Sequence, residues 1–152
     1  MYSPLILLAY EGWAQEQLLN TLREIEEPPA RAIRFLGHVV AARRIWLGRI
    51  EDDLELLSTP IWPDWNVDLI SSKGMEIIAR WTKLVETWGV LPERTVTYKT
   101  LAGEPFSNAL PEIFMHVYTH GTHHRGQVSL LLRDSGVTPP KTDLIYYLRK
   151  PA

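Results

Sequence analysis

Four long stretches of helix-forming sequence, each stopped by proline or glycine, leave this 152-residue chain little choice but a helical bundle. Proline cannot continue a helix, because its ring blocks the preceding turn and it has no N–H to donate. The first stretch runs from about Ser3 to Glu26 and closes at Glu27-Pro28-Pro29. The second runs from about Ala30 to Leu57, ahead of Ser58-Thr59-Pro60 and the Trp62-Pro63-Asp64-Trp65 loop. The third, from about Asp68 to Trp88, sets Met75, Ile78, Trp81, Val85 and Trp88 in a helical stripe before Gly89 and Pro92. The fourth begins near Pro111, a favoured first-turn residue, with Glu112 suited to the positive end of the helix dipole, and stops at Ser135-Gly136. Between the third and fourth, Arg94 to Thr100 is rich in β-branched and aromatic residues, and Ala102-Gly103-Glu104 supplies a turn before Pro105-Phe106. That passage predicts a small hairpin. Asp143 is placed to cap a short final helix over Leu144 to Arg149. The expected fold is therefore all-α: an up-and-down four-helix bundle with a short β-hairpin between the third and fourth helices and a short C-terminal helix, in one domain over residues 1–152.

The fourth stretch carries the chemistry. His116-Val117-Tyr118-Thr119-His120-Gly121-Thr122-His123-His124-Arg125-Gly126-Gln127 holds four of the chain's five histidines. At about 100° per residue, Ile113, Val117, His120, His124, Val128 and Leu131 share one sector less than a quarter-turn wide, whereas His116 and His123 fall towards its edge. A single histidine on an apolar face is ordinarily a hydrogen-bonded core residue. Two at i and i+4 both need partners in a helix whose backbone groups are already paired, and each unsatisfied imidazole costs roughly 1 to 3 kcal/mol. A shared divalent cation removes that cost, and this spacing lets two imidazoles converge on one ion. A third ligand is available in His38, which follows the same helix side as Phe35, Ala42 and Ile45. If its helix neighbours the fourth, His38, His120 and His124 form a set of three neutral nitrogens with coordination positions left open, as catalytic metals have and four-ligand structural zinc sites do not.

The HHRGQ string, the Val128-Ser129-Leu130-Leu131-Leu132-Arg133 segment after it, Asp143-Leu144-Ile145-Tyr146-Tyr147 and an early Tyr10-x-x-Trp13-Ala14 together resemble the DinB family, with its YfiT-like metalloprotein relatives, along nearly the whole chain. The resemblance implies a four-helix bundle holding a divalent metal by three histidines, one from the second helix and two from the last long helix. Matched onto this sequence, those positions are His38, His120 and His124. It implies a metal such as zinc or nickel, a small-molecule substrate, and either a transferase using a low-molecular-weight thiol as cosubstrate or a hydrolase using metal-bound water. A non-catalytic, metal-stabilised binding protein is the third alternative. A homodimer is also expected, from the resemblance and from apolar residues on more than one side of the first two helices.

Composition narrows the function further. With 45% apolar residues the chain is long enough to bury a core without disulfides. It has no cysteine, which excludes thiol catalysis by the chain itself and Fe–S ligation and is compatible with a reducing cytoplasm, the expected location. A net charge of −2 gives no broad attraction to nucleic acid, and Arg31, Arg34, Arg43, Arg44 and Arg49 read as a solvated helix face. The Leu5-Ile6-Leu7-Leu8-Ala9-Tyr10 run is too short to span a bilayer and lacks a basic flank, so no membrane association is expected. Trp13, Trp46, Trp81 and Trp88 read as core, while Trp62 and Trp65, in a proline-flanked loop, are placed to wall a pocket mouth or a dimer surface. Arg125 and Gln127 are candidates for contacting a substrate anion or an opposing subunit. Glu11, Glu16, Glu112 and Asp143 are the carboxylates to weigh as a general base.

Overall fold

The computed structural model describes residues 3–100 and 102–151. Ser3 opens helix α1 (Pro4–Arg23) by accepting a hydrogen bond from the Leu5 N–H, and Pro4 sits in the first turn, where no N–H is needed. The helix ends at Arg23 rather than Glu26, where a turn at Glu24 and bends at Glu26 and Glu27 lead the chain into Pro28 and Pro29. The second predicted stretch is divided. Helix α2 (Ala30–Glu51) ends at Asp52, which takes the left-handed conformation at φ 55°, and Asp53 then caps the one-turn helix α3 (Leu54–Leu57) by accepting from the Leu56 N–H. A Cβ on Gly48 would come within 2.9 Å of the Leu56 side chain, so the bare glycine is what lets α3 fold back against α2.

Helix α4 (Val67–Trp88) is capped by the Asn66 side chain, which accepts from the Leu69 N–H at 2.9 Å, and closes at Gly89 with φ 68°. Its buried stripe is Ile70, Gly74, Ile77, Trp81 and Val85. Met75, expected on that stripe, is 60% exposed, since it lies one residue and thus about 100° round from Gly74. Strands β1 (Thr95–Lys99) and β2 (Pro105–Ala109) pair antiparallel with Thr95 opposite Ala109 and Lys99 opposite Pro105. The hairpin is braced on the end of α2, where Arg94 donates to the Ile50 carbonyl at 2.8 Å and Arg49 to the Lys99 carbonyl at 3.1 Å. Helix α5 (Leu110–Asp134) starts where Glu112 accepts from the Ala109 N–H at 3.0 Å. The C-terminal helix α6 (Leu144–Leu148) follows, with Asp143 at its N-cap position but making no capping bond through its side chain. Tyr10 holds the approach to α6 instead, donating its hydroxyl to the Thr142 carbonyl at 2.7 Å.

Cross-helix contacts fix the chain directions. Residue numbers run oppositely on α1 and α4, where Arg23 meets Asp68, Glu16 meets Ser71 and Gly12 faces Ile78. They also run oppositely on α2 and α5, where Phe35 stacks on His124 and Trp46 packs on His116. On α2 and α4 they rise together, with Gly37 facing Ile70, Val40 facing Gly74, and the Trp81 indole donating to the Arg43 carbonyl. The four long helices thus run up, down, down, up, and the 58–66 loop and the hairpin make the longer crossings. Trp81, Leu18, Leu36, Leu47, Ile77 and Ile113 are among the side chains fully removed from water at the centre. Each contributes roughly 1.5 to 3 kcal/mol of hydrophobic stabilisation. Trp13, Trp46 and Trp88 are only half-buried, so Trp81 alone of the helical tryptophans is a true core residue. Among the described residues no helix is long and apolar enough to cross a membrane.

Candidate metal centre

Antiparallel packing of α2 on α5 brings His38, His120 and His124 together. The Nε2 atoms of His38 and His124 each lie 3.1 Å from Nε2 of His120, and one ring nitrogen from each histidine falls within 4.8 Å of the others. Nitrogens bound at about 2.1 Å to one ion are roughly 3.0 to 3.4 Å apart for near-octahedral to tetrahedral angles, so the two 3.1 Å spacings to His120 match those of ligands sharing one metal. The proton inventory points the same way. His38 Nδ1 is 2.8 Å from the Ile61 carbonyl, which can only accept, so the proton of that ring is on Nδ1 and Nε2 offers a lone pair. His124 Nδ1 is 2.6 Å from Oε1 of Gln127, which holds the second ring in the same tautomer. Two lone pairs therefore face Nε2 of His120, whose single proton cannot satisfy both. A cation between the three rings satisfies all of them, and the outer hydrogen bonds are of the kind that orient metal-ligating histidines.

Burial keeps these rings neutral, the form a metal needs. It pushes the pKa of His120 down to about 3, helped by the charges His124, His38, His116 and Arg43 would present. Burial likewise lowers His38 and His124, opposed in part by the Ile61 and Gln127 hydrogen bonds. The described residues that gather here are these three histidines, which leaves coordination positions for groups from outside the chain. His123 is exposed and outside the group, and His116 packs beside it against Trp46.

The 58–66 loop completes the walls. Trp62 stacks on His38 with ring centroids 3.9 Å apart, and Phe35 stacks on His124 at 5.3 Å. Against these outer faces lies a cleft of about 210 Å³ bounded by Arg31, Arg34, Phe35 and Trp62. Trp62 is thus a wall of the site, whereas Trp65 sits apart, half-buried under Lys73. The loop's role had no sequence signal beyond its aromatic residues, because which carbonyl meets His38 depends on the crossing from α2 to α4. The role of Gln127 was within reach, since it stands one helical turn after His124.

Two expectations for charged residues do not hold. Arg43 and Arg44 are not on a solvated face: they are 1% and 4% exposed, because α2 is enclosed by its neighbours for most of its length. Arg125 does not offer itself to a substrate or a partner subunit. It is 3% exposed and donates to both oxygens of Glu11 at 2.6 and 2.8 Å and to the Tyr10 hydroxyl at 3.1 Å. Glu11 in turn takes a hydrogen bond from Arg43, so it is engaged by two guanidinium groups. The other candidate bases are occupied or remote: Glu16 accepts from Ser71 and Glu112 caps α5, while Asp143 begins α6.

Fold and site together define a helical bundle with an open three-histidine centre suited to a divalent ion. The chain belongs to the DinB family, whose model matches residues 1–151. Comparison with curated proteins and with solved structures gives no match.

Proposed function

We propose that this protein is a metal-dependent enzyme in which His38, His120 and His124 hold a divalent ion of the zinc or nickel type, and that it transfers a low-molecular-weight thiol to an electrophilic small molecule. The observation that carries the reading is the convergence of three Nε2 atoms, two of them on rings fixed through Nδ1, with no carboxylate hydrogen-bonded to any of the three among the described residues. When bound, the ion supplies positive charge that lowers the pKa of a thiol or a water brought to it.

The chain's own residues favour the thiol. Hydrolysis gains most from a carboxylate base close to the nucleophile, and Glu11, the best-buried carboxylate, is neutralised by Arg43 and Arg125. A thiol, with an ordinary pKa of about 8.5, needs no such base. Trp62 and Phe35 hold the histidine rings in place and offer an apolar wall, and Arg31 and Arg34 place guanidinium groups at the cleft for an anionic part of either substrate. In the transfer, sulfur forms a bond to the electrophilic carbon as the leaving group departs with its electron pair, and the thiol proton passes to solvent.

Cobalt substitution tests this. Titrating a small thiol into the cobalt-loaded protein is expected to add a sulfur-to-metal charge-transfer band in the near ultraviolet, and turnover of an aryl halide is expected to require both thiol and metal. A cobalt spectrum indifferent to every thiol, with metal-dependent ester hydrolysis, would replace the reading by the hydrolase. Metal binding without either turnover would leave a binding protein.

A further inference from the structure

Directly behind the metal-site turn of α5 lies a buried charge cluster that the chemistry above does not use. Glu11 on α1, Arg43 on α2 and Arg125 on α5 are 2%, 1% and 3% exposed. Two cations against one anion leave the cluster with a net positive charge inside the bundle, and Nε of Arg43 has no hydrogen-bond partner among the described residues. Such a cluster is a poor way to gain stability, since apolar side chains of similar size often serve as well or better. Its placement suggests another reason for it. Arg125 directly follows the ligand His124, and Gly121 directly follows the ligand His120. A Cβ on Gly121 would overlap Oε2 of Glu11 and come within 3.0 Å of both guanidinium groups. The bare backbone of α5 between its two ligands is therefore in contact with the α1 carboxylate, and that carboxylate also grips α2 through Arg43, little more than one turn beyond His38. Arg43 is steadied in turn by Gln15, whose Oε1 accepts from it at 2.8 Å and whose amide occupies the space left by Gly74.

We infer that Glu11, acting through Arg43 and Arg125, is the positioning residue that sets His120 and His124 in register with His38. The inference rests on the proposed metal centre but is tested apart from it. Glu11→Gln keeps the shape and removes the anion; because it also strands two cations, Glu11→Gln/Arg43→Met is made beside it, which restores the net buried charge of the native cluster. Leu56→Ala, at the one buried position of α3, serves as a control for loss of stability alone. Two quantities are read: zinc affinity by chelator competition, and, in the metal-free protein, imidazole nitrogen shifts and ring-to-ring nuclear Overhauser effects among the three histidines.

Both Glu11 variants are expected to bind zinc roughly tenfold to a hundredfold more weakly, the usual effect of losing an outer support, and to lose the ring-to-ring contacts. Leu56→Ala should be less stable yet unchanged in both readings. Native affinity with native ring contacts in a folded Glu11 variant would overturn the inference. So would an equal loss in Leu56→Ala, or failure of both Glu11 variants to fold, since the cluster would then be holding the bundle and not its ligands. If the native protein binds neither zinc nor nickel, the proposed function falls, while the ring contacts in the metal-free variants still decide the positioning role.

Discussion

Gln127 offers the sharpest perturbation of the metal centre, because it touches a ligand without being one. Its Oε1 lies 2.6 Å from Nδ1 of His124 and keeps that ring's proton away from the site. Gln127→Leu is nearly isosteric and Gln127 is half-buried, so little packing is lost. What is lost is the acceptor. The His124 proton is then free to move to Nε2, where it blocks ligation, or to remain on Nδ1 unsatisfied at a cost of roughly 1 to 3 kcal/mol. The metal-free protein shares part of that cost, so the expected loss of zinc affinity is at the lower end of the outer-support range, about tenfold. Gln127→Glu should act in the opposite direction, because a carboxylate accepts the same Nδ1 proton more strongly and makes the ring a better donor to metal. Chelator competition at fixed pH near 7.5 measures both, with cobalt absorption reporting the coordination geometry. Zinc affinities for Gln127→Leu and Gln127→Glu that lie within twofold of the native protein would refute the reasoning, because the Nδ1 bond would then have no hold on the metal.

Other consequences can be measured with the same material. Trp81→Ala removes a fully buried side chain and its bond to the Arg43 carbonyl, and is expected to cost about 3 to 5 kcal/mol in urea unfolding, with a loss below 1 kcal/mol counting against the assigned core. The metal-free protein should lose stability as pH falls: His120 has a folded pKa near 3 against 6.5 in the unfolded chain, so the unfolded state takes up the proton first. Its stability should be flat above that range and decline steadily below 6.5, as followed by denaturant midpoints; a midpoint unchanged down to about pH 4 would show that the rings are not buried as described. His123→Ala should bind metal like the native protein, since His123 is exposed and outside the group. A homodimer is expected, and light scattering at micromolar concentration would contradict it by returning the mass of one chain.

How much of this was legible in the sequence depended on whether the information was local. The helical period on α5 placed Val117, His124 and Val128 inside, and the pairing of His120 with His124 was legible because i and i+4 geometry needs no knowledge of the rest of the fold, whereas their meeting with His38 depends on the packing of α2 on α5. Pro111 and Gly136 sit at helix ends for local reasons, the ring that fits a first turn and the bare Cα that takes a positive φ. The period says which face of a helix is covered, however, and not by which neighbour. The parallel packing of α2 on α4 was therefore beyond it, and so was the burial of Arg43, Arg44 and Arg125, whose carboxylate partners lie on distant helices. The left-handed break at Asp52 was hidden for a similar reason, since Asp tolerates that conformation without requiring it and the cause is the fit of Leu56 over Gly48.

The central claim is that three histidines bind one metal ion, and metal content measures it most directly. The native protein and His120→Ala are purified without a metal-affinity column, analysed by inductively coupled plasma mass spectrometry, then stripped and offered zinc, nickel and cobalt separately. The account predicts one tightly held divalent ion per native chain, recovered on reloading, and none in His120→Ala at equal fold content by circular dichroism. A native protein that takes up none of the three ions, or a His120→Ala variant that retains its full equivalent, would contradict it.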